Sequence, residues 1–259
     1  MRVILHAGFH KTGTTTVQKT LRANRAALKP HLRFLLPPRM TALCEAARAW
    51  SVGRRDIDMA LVRYEAAALA ETWRAEDRRP MLLASEDLAG HMPGRHGLTG
   101  YDAVPQLMQA IAEALEEAQP GARVECVFTT RAAGPWLVSC HSQHLSASRM
   151  TLDAAEYARR FRASAELDIF IDQTAQTLAP RPVRRIALED WADHPLGPLA
   201  ALLLLADLPP RLLNELAPLP PQKVSPDAAR RAALLALNRS DLDEAALVAA
   251  KRALLRGTV

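Results

Sequence analysis

Residues 8–16, "GFHKTGTTT", bring two glycines, a lysine and four threonines together directly after the apolar run "RVIL". A strand, a tight glycine turn and a helix in that order aim several backbone N–H groups and a helix N-terminus at one spot, which is an anion site. Gly8 and Gly13 allow positive φ and close backbone approach. Thr12, Thr14, Thr15 and Thr16 add hydroxyls, Lys11 adds a full charge, and His6 and His10 bracket the turn. The glycine spacing is that of a Walker loop, but the lysine precedes the second glycine. A Walker lysine works beside a hydroxyl on magnesium and a carboxylate from another strand. Placed early, Lys11 instead reaches the bridging oxygen of a leaving group.

Three further groups could do chemistry with such an anion. Glu86 directly follows "MLLAS", at the carboxyl end of a strand, where ligands of open α/β sheets sit and a general base would stand. Two plainer readings remain open there: Glu86 or Asp87 caps the next helix or pairs with an arginine, or one of them binds magnesium. Arg131 ends "VFTT", and Ser139 lies eight residues on. Pro135 suits the first helical position, so Arg131, Ser139 and a helix N-terminus would converge on one phosphate. In "SCHSQH", Cys140, His141 and His144 do not complete a metal-ligand set, and a surface or acceptor-lining role is expected for the histidines.

"GFHKTGTTT" resembles the 5′-phosphosulfate loop of the sulfotransferases that use 3′-phosphoadenosine 5′-phosphosulfate. Their pattern K-[ST]-G-T-[TS] is met by Lys11, Thr12, Gly13, Thr14 and Thr15. Arg131 and Ser139 match the pair that reads the 3′-phosphate in that family, and "RRIALEDW" with the apolar helix after it resembles a later strand of the same fold. The resemblance implies a P-loop type, three-layer α/β fold and 3′-phosphoadenosine 5′-phosphosulfate as co-substrate, without a metal. It puts His10, Lys11, Thr12, Gly13, Thr14, Thr15, Arg131 and Ser139 at the nucleotide, and Lys11 and Glu86 at the chemistry. Some branches of the family use a glutamate base and others a histidine; Glu86 fits the first, whose acceptors are hydroxyls such as those of sugars. Lys223 and Ser225 are expected to help close over the nucleotide, and residues 39–79 and 141–165 to shape the acceptor pocket. Two other readings stand beside this one: a magnesium-dependent P-loop kinase or nucleotide hydrolase, and a nucleotide-binding module without turnover.

Four short aliphatic segments must position these groups as parallel strands: 2–7, 81–85, 124–130 and 184–188. Between them run helical patterns. Val17, Leu21 and Leu28 share one face; Ile57, Leu61, Ala68 and Trp73 mark one long helix up to about Asp77; residues 101–118 form another. Strands alternating with helices predict an α/β fold with a central parallel sheet. The part from about residue 195 to 259 reads as helical, with Ser240 and Asp243 forming a capping box and Gly257 stopping the last helix. The whole of 1–259 is expected to be a single domain.

With 259 residues, 49% hydrophobic and 24% charged, the chain can bury a large core. The net charge of +5 favours an anionic ligand, but basic residues are dispersed and aromatics make up only 5%, which speaks against a nucleic-acid platform. The 3 cysteines are far apart, without a C-x-x-C pair. "MRVIL" is too short for the apolar part of a signal peptide, and "LAALLLLADL" from Leu199 falls below the roughly 20 residues of a membrane span. A cytoplasmic protein with neither a membrane nor a nucleic-acid partner is expected.

Overall fold

The structure, a computed structural model, describes residues 1–74, 76–219 and 226–257. Its first half runs β1 (Arg2–His6), α1 (Thr14–Ala23), α2 (Arg25–Leu28), β2 (Arg33–Leu35), α3 (Thr41–Gly53), α4 (Asp56–Glu71), β3 (Met81–Ala84) and α5 (Val104–Ala118). The second half runs β4 (Arg123–Thr130), α6 (Ala133–Ala147), α7 (Ala154–Arg160), α8 (Leu167–Leu178), β5 (Val183–Ala187) and then α9 (Pro198–Leu205) to α10 (Pro210–Glu215). Two helices, α11 (Ala228–Arg239) and α12 (Glu244–Arg256), follow. Among the described residues no helix is long and apolar enough to cross a membrane.

The five strands form one parallel sheet in the order β2-β3-β1-β4-β5. Alternation along the strands divides the apolar side chains between two faces. Val3, Leu5, Leu83, Cys126 and Phe128 point into a core closed by α3, α4, α5 and α8. Ile4, Leu82 and Val127 point the other way, against Val17 and Leu21 of α1, Leu28 of α2 and the leucines of α9. The result is the expected three-layer α/β arrangement. Because every strand runs the same way, the carboxyl ends of β1, β3, β4 and β5 open on one edge of the sheet.

Several expectations change in detail. β2 was not legible as a strand: it is three residues long, and its middle residue Phe34 lies beneath the Arg25 guanidinium, 4.5 Å from the ring centroid. β5 is an edge strand, with Arg184 and Arg185 exposed rather than buried. The helix expected through Ile57 and Trp73 up to about Asp77 is α4, which already ends at Glu71; α3 stands before it, separated at Arg54, whose φ of 51° is left-handed. The buried face of α4 carries Asp58, Val62, Ala66 and Ala70, while Ile57 is 69% and Leu61 44% exposed. The larger apolar side chains thus misidentified the core face, because α4 packs closely through alanines.

At the carboxyl-terminal end, Ser240 terminates α11 and Asp243 alone caps α12, accepting from the Ala246 N–H at 2.8 Å. Gly257 ends that helix with φ 75°, as expected. α11 and α12 are seated on the carboxyl end of α6. Asn238 Nδ2 donates to the Leu145 carbonyl at 3.1 Å and Lys251 Nζ to the Ser148 carbonyl at 2.8 Å. Arg149 bonds the Ser240 carbonyl at 3.0 Å and pairs with Glu244 at 2.7 Å.

Candidate functional site

β1 is the central strand, and the loop leaving it is pinned from below and at its apex. Only glycine fits at position 8. A Cβ there would lie 2.5 Å from Thr129 Oγ1 and 2.9 Å from both His6 Nε2 and Thr14 Oγ1. Beneath the loop, Thr12 Oγ1 donates to the Phe9 carbonyl at 2.5 Å and lies 2.8 Å from Thr129 Oγ1, which is 3.4 Å from His6 Nε2. Burial holds the His6 imidazole down at about 4, so it is neutral at neutral pH.

At the apex the His10 N–H donates to the Tyr101 hydroxyl at 3.1 Å, and His10 Nδ1 lies 3.2 Å from the same oxygen. Trp136 Nε1–H donates to the His10 carbonyl at 2.9 Å. Phe9 packs on Tyr101 and Phe128, with ring centroids 4.6 and 5.3 Å apart. The turn is completed by two left-handed residues, Lys11 at φ 68° and Gly13 at φ 98°. For lysine that conformation is strained, and such strain persists only where the surroundings enforce it.

A cavity of about 570 Å³ opens over this loop at the carboxyl edge of the sheet. From the loop and α1 it is lined by His10, Lys11, Gly13, Thr14 and Thr15; from the end of β3 by Glu86; from the end of β4 and α6 by Arg131 and Ser139. Of the residues expected at the nucleotide, Thr12 alone is not in the lining. Its side chain is fully buried and braces the loop, so only its backbone could serve an anion. Thr14 Oγ1, at the first position of α1, is buried without a hydrogen-bond partner. An unsatisfied buried hydroxyl beside helix amides is a place where an anionic oxygen would be well received.

Sequence reasoning missed Lys19, Gln143, Arg95, Met92 and Leu188, which also line the cavity. Two of them had a signal. Gln143 is one helical turn beyond Ser139 and Lys19 is one beyond Thr15, so each shares its neighbour's face. Arg95 and Met92 lie in an irregular segment where no periodicity could mark them. No residue of 39–79 lines this cavity, and of 141–165 only Gln143 does, so those segments do not shape it as expected. Lys223 and Ser225 lie outside the described residues.

The two acidic residues after β3 have parted. Ser85, not Glu86, caps the 3₁₀ turn Glu86–Ala89, its Oγ accepting from the Asp87 N–H at 3.2 Å. Asp87 pairs with Arg48 at 2.7 Å and lies 3.7 Å from His10 Nε2. Burial would raise its carboxyl, but the bonds and charges of His10 and Arg48 outweigh that and hold it below the usual carboxylate range. Glu86 is left facing the cavity, with Oε2 accepting from Gln18 Nε2 at 2.9 Å. The pairing expectation therefore describes Asp87, and the base expectation remains with Glu86.

Lys11 Nζ lies 3.5 Å from Gln143 Oε1, and Arg131 Nη1 lies 3.5 Å from the Lys11 carbonyl; both contacts are long. α6 starts at Ala133, so Pro135 is its third residue rather than its first, and Ser139 lies nearly two turns in. The amide of Ala132 already donates to Glu189 at 2.9 Å, so this helix start is partly occupied by a carboxylate. His141 and His144 face inward, correcting the surface or acceptor-lining role. His141 Nε2 lies 2.9 Å from the Leu152 carbonyl and His144 Nδ1 3.0 Å from the Tyr157 hydroxyl.

The fold and loop define a parallel α/β protein with a pinned glycine turn at the carboxyl edge of its sheet. The sequence matches no family model, and no curated protein matches it either. Among solved structures it is similar to the crystal structure of a sulfotransferase from Alicyclobacillus acidocaldarius, at 17% identity and a TM-score of 0.48, over 96% of this chain and 98% of that one. A likeness that distant carries nothing about donor, acceptor or catalytic residues.

Proposed function

We propose that residues 1–259 act as one catalytic unit, a sulfotransferase that moves a sulfuryl group from 3′-phosphoadenosine 5′-phosphosulfate to an acceptor hydroxyl, a carbohydrate being the preferred class. One observation supports this above all: Lys11, Glu86, Arg131 and Ser139, far apart in sequence, line a single cavity around a preorganised loop. The pinned apex, the glycine-only approach at Gly8 and the unpartnered Thr14 hydroxyl suit a phosphosulfate better than an uncharged ligand.

When bound, the nucleotide supplies a sulfuryl group on a phosphate leaving group. Gly13, Thr14 and Thr15 hold that end with amides and hydroxyls at the start of α1. Lys11 holds its ammonium charge toward the leaving oxygen. Arg131 and Ser139 hold the 3′-phosphate, with Arg131 donating charge-assisted bonds. Gln18 orients the Glu86 carboxylate by bonding one oxygen, which leaves the other to accept the proton of the acceptor hydroxyl. As the acceptor oxygen–sulfur bond forms, the bond from sulfur to the bridging oxygen breaks and adenosine 3′,5′-bisphosphate departs.

Calorimetric titration of the protein with adenosine 3′,5′-bisphosphate, ADP and ATP, all with chelator present, tests the reading. Selective binding of the bisphosphate is expected. Preference for ATP, restored only by magnesium, would overturn it in favour of a kinase or nucleotide hydrolase.

A further inference from the structure

Beyond Lys11 and Arg131 the cavity is lined by two further cations, Lys19 from α1 and Arg95 from a segment that packs against the second half of α6. Arg95 lies in the segment between the 3₁₀ turn after β3 and α5, half-buried, with no carboxylate partner among the described residues. The segment is built, not loose. The Gly94 N–H donates to the Leu98 carbonyl at 2.8 Å, and the Leu98 N–H to the Arg95 carbonyl at 2.9 Å. Gly94, at φ 93°, presses so closely on α6 that a Cβ there would lie 2.4 Å from His144 Cε1. Its position is therefore fixed against the second half of α6. Roughly 16 Å of helix separates the start of α6, beside Arg131, from His144.

Among the described residues no carboxylate forms an ion pair with Arg95, and His91 and His144 beside it carry no charge to oppose or to match it. Burial, with a smaller contribution from the charge of Arg95 itself, holds His144 down at about 4. Burial and nearby positive charge hold His91 down at about 4 as well. Both rings are thus uncharged at neutral pH. Met92, buried beside Arg95, offers an apolar wall, and Glu86 faces the same space from the end of β3. The donor's two anionic groups are served elsewhere, by Lys11 with the start of α1 and by Arg131 with Ser139. A neutral acceptor would leave Arg95 partly desolvated and unpaired, which is costly.

On the sulfotransferase reading above, we infer that the acceptor carries an anionic group, a carboxylate or a sulfate ester, and that Arg95 binds it while Glu86 receives the proton of the attacked hydroxyl. Arg95 is then a specificity residue, and the substrate class is an acidic hydroxyl compound such as a uronic acid or an already sulfated sugar.

The test is calorimetry on the full chain saturated with adenosine 3′,5′-bisphosphate, using three matched probes: 4-nitrophenyl β-D-glucoside, the corresponding β-D-glucuronide and the 6-O-sulfo glucoside. At least one anionic probe should bind about tenfold or more tightly than the glucoside. Arg95→Ala should erase that preference, Arg95→Lys should restore part of it, and both should keep bisphosphate affinity within about twofold of the starting protein. The two anionic probes, compared, tell carboxylate from sulfate recognition. Equal responses to charged and neutral probes, including none to any, overturn the inference. So does a large loss of bisphosphate affinity in Arg95→Ala, which would assign Arg95 to the donor. If the unsubstituted protein binds no bisphosphate at all, the sulfotransferase reading itself has failed.

Discussion

Lys11 lines the cavity from the loop and Glu86 from the end of β3, and their replacements should be told apart from simple unfolding. Lys11→Ala is expected to lower sulfuryl transfer by 10²-fold or more, with the melting temperature kept; an active variant would remove Lys11 from the mechanism. Glu86→Gln keeps the shape and the Gln18 contact but cannot take a proton, so turnover should fall by about 10²-fold or more with bisphosphate affinity unchanged. Arg131→Ala should weaken adenosine 3′,5′-bisphosphate by about 2–3 kcal/mol, as for a charged hydrogen-bond partner lost, and leave AMP almost unaffected. Equal losses for the two nucleotides would detach Arg131 from the 3′-phosphate. At this scale the sequence was informative where residues sit on a repeating element or in a dense motif. It could not show that Thr12 turns inward, because only the tertiary partner Thr129 decides which threonine braces the loop.

The loop is an element under load. Lys11 holds a left-handed backbone at φ 68°, which glycine adopts without cost and lysine does not. Lys11→Gly is therefore expected to raise unfolding stability by about 1 kcal/mol while abolishing transfer, read by denaturant titration beside an activity assay. A loss of stability would mean that the lysine side chain, through Gln143, holds the turn in shape. The strands β1, β3 and β4 were legible because each is aliphatic and central. β2 was not, because three residues at a sheet edge give too little alternation, and the buried face of α4 was hidden because its larger apolar residues Ile57 and Leu61 point to solvent. The junction of α11 and α12 shows the same limit: Ser240 and Asp243 both read as caps, and only the path of the chain settles that Asp243 caps α12.

Across the whole molecule, burial holds His6, His91, His141 and His144 below the ordinary histidine value and contributes to the response to acid. His6, His91 and His144 are each held down at about 4 by burial, with nearby positive charges adding to it for the last two. Between about 6.5 and 4 the unfolded chain binds protons at these sites and the folded chain does not, so stability falls as pH drops through that window. Stability measured from pH 7 to 4 should decline, and His6→Gln should flatten the curve; a curve unchanged by that substitution would mean His6 titrates alike in both states. α6 spans the two ends of the molecule that matter here. Ser139 and Gln143 of this helix line the cavity, while Leu145 near its carboxyl end, with Ser148 and Arg149 just beyond it, bonds Asn238, Lys251 and Ser240 of the carboxyl-terminal helices. In hydrogen-exchange terms, the amides of α11 and of the second half of α6 should open together as one cooperative unit. Bound bisphosphate should then slow exchange at the carboxyl-terminal helices, so that a ligand held at the sheet edge is felt as protection at the far end of α6.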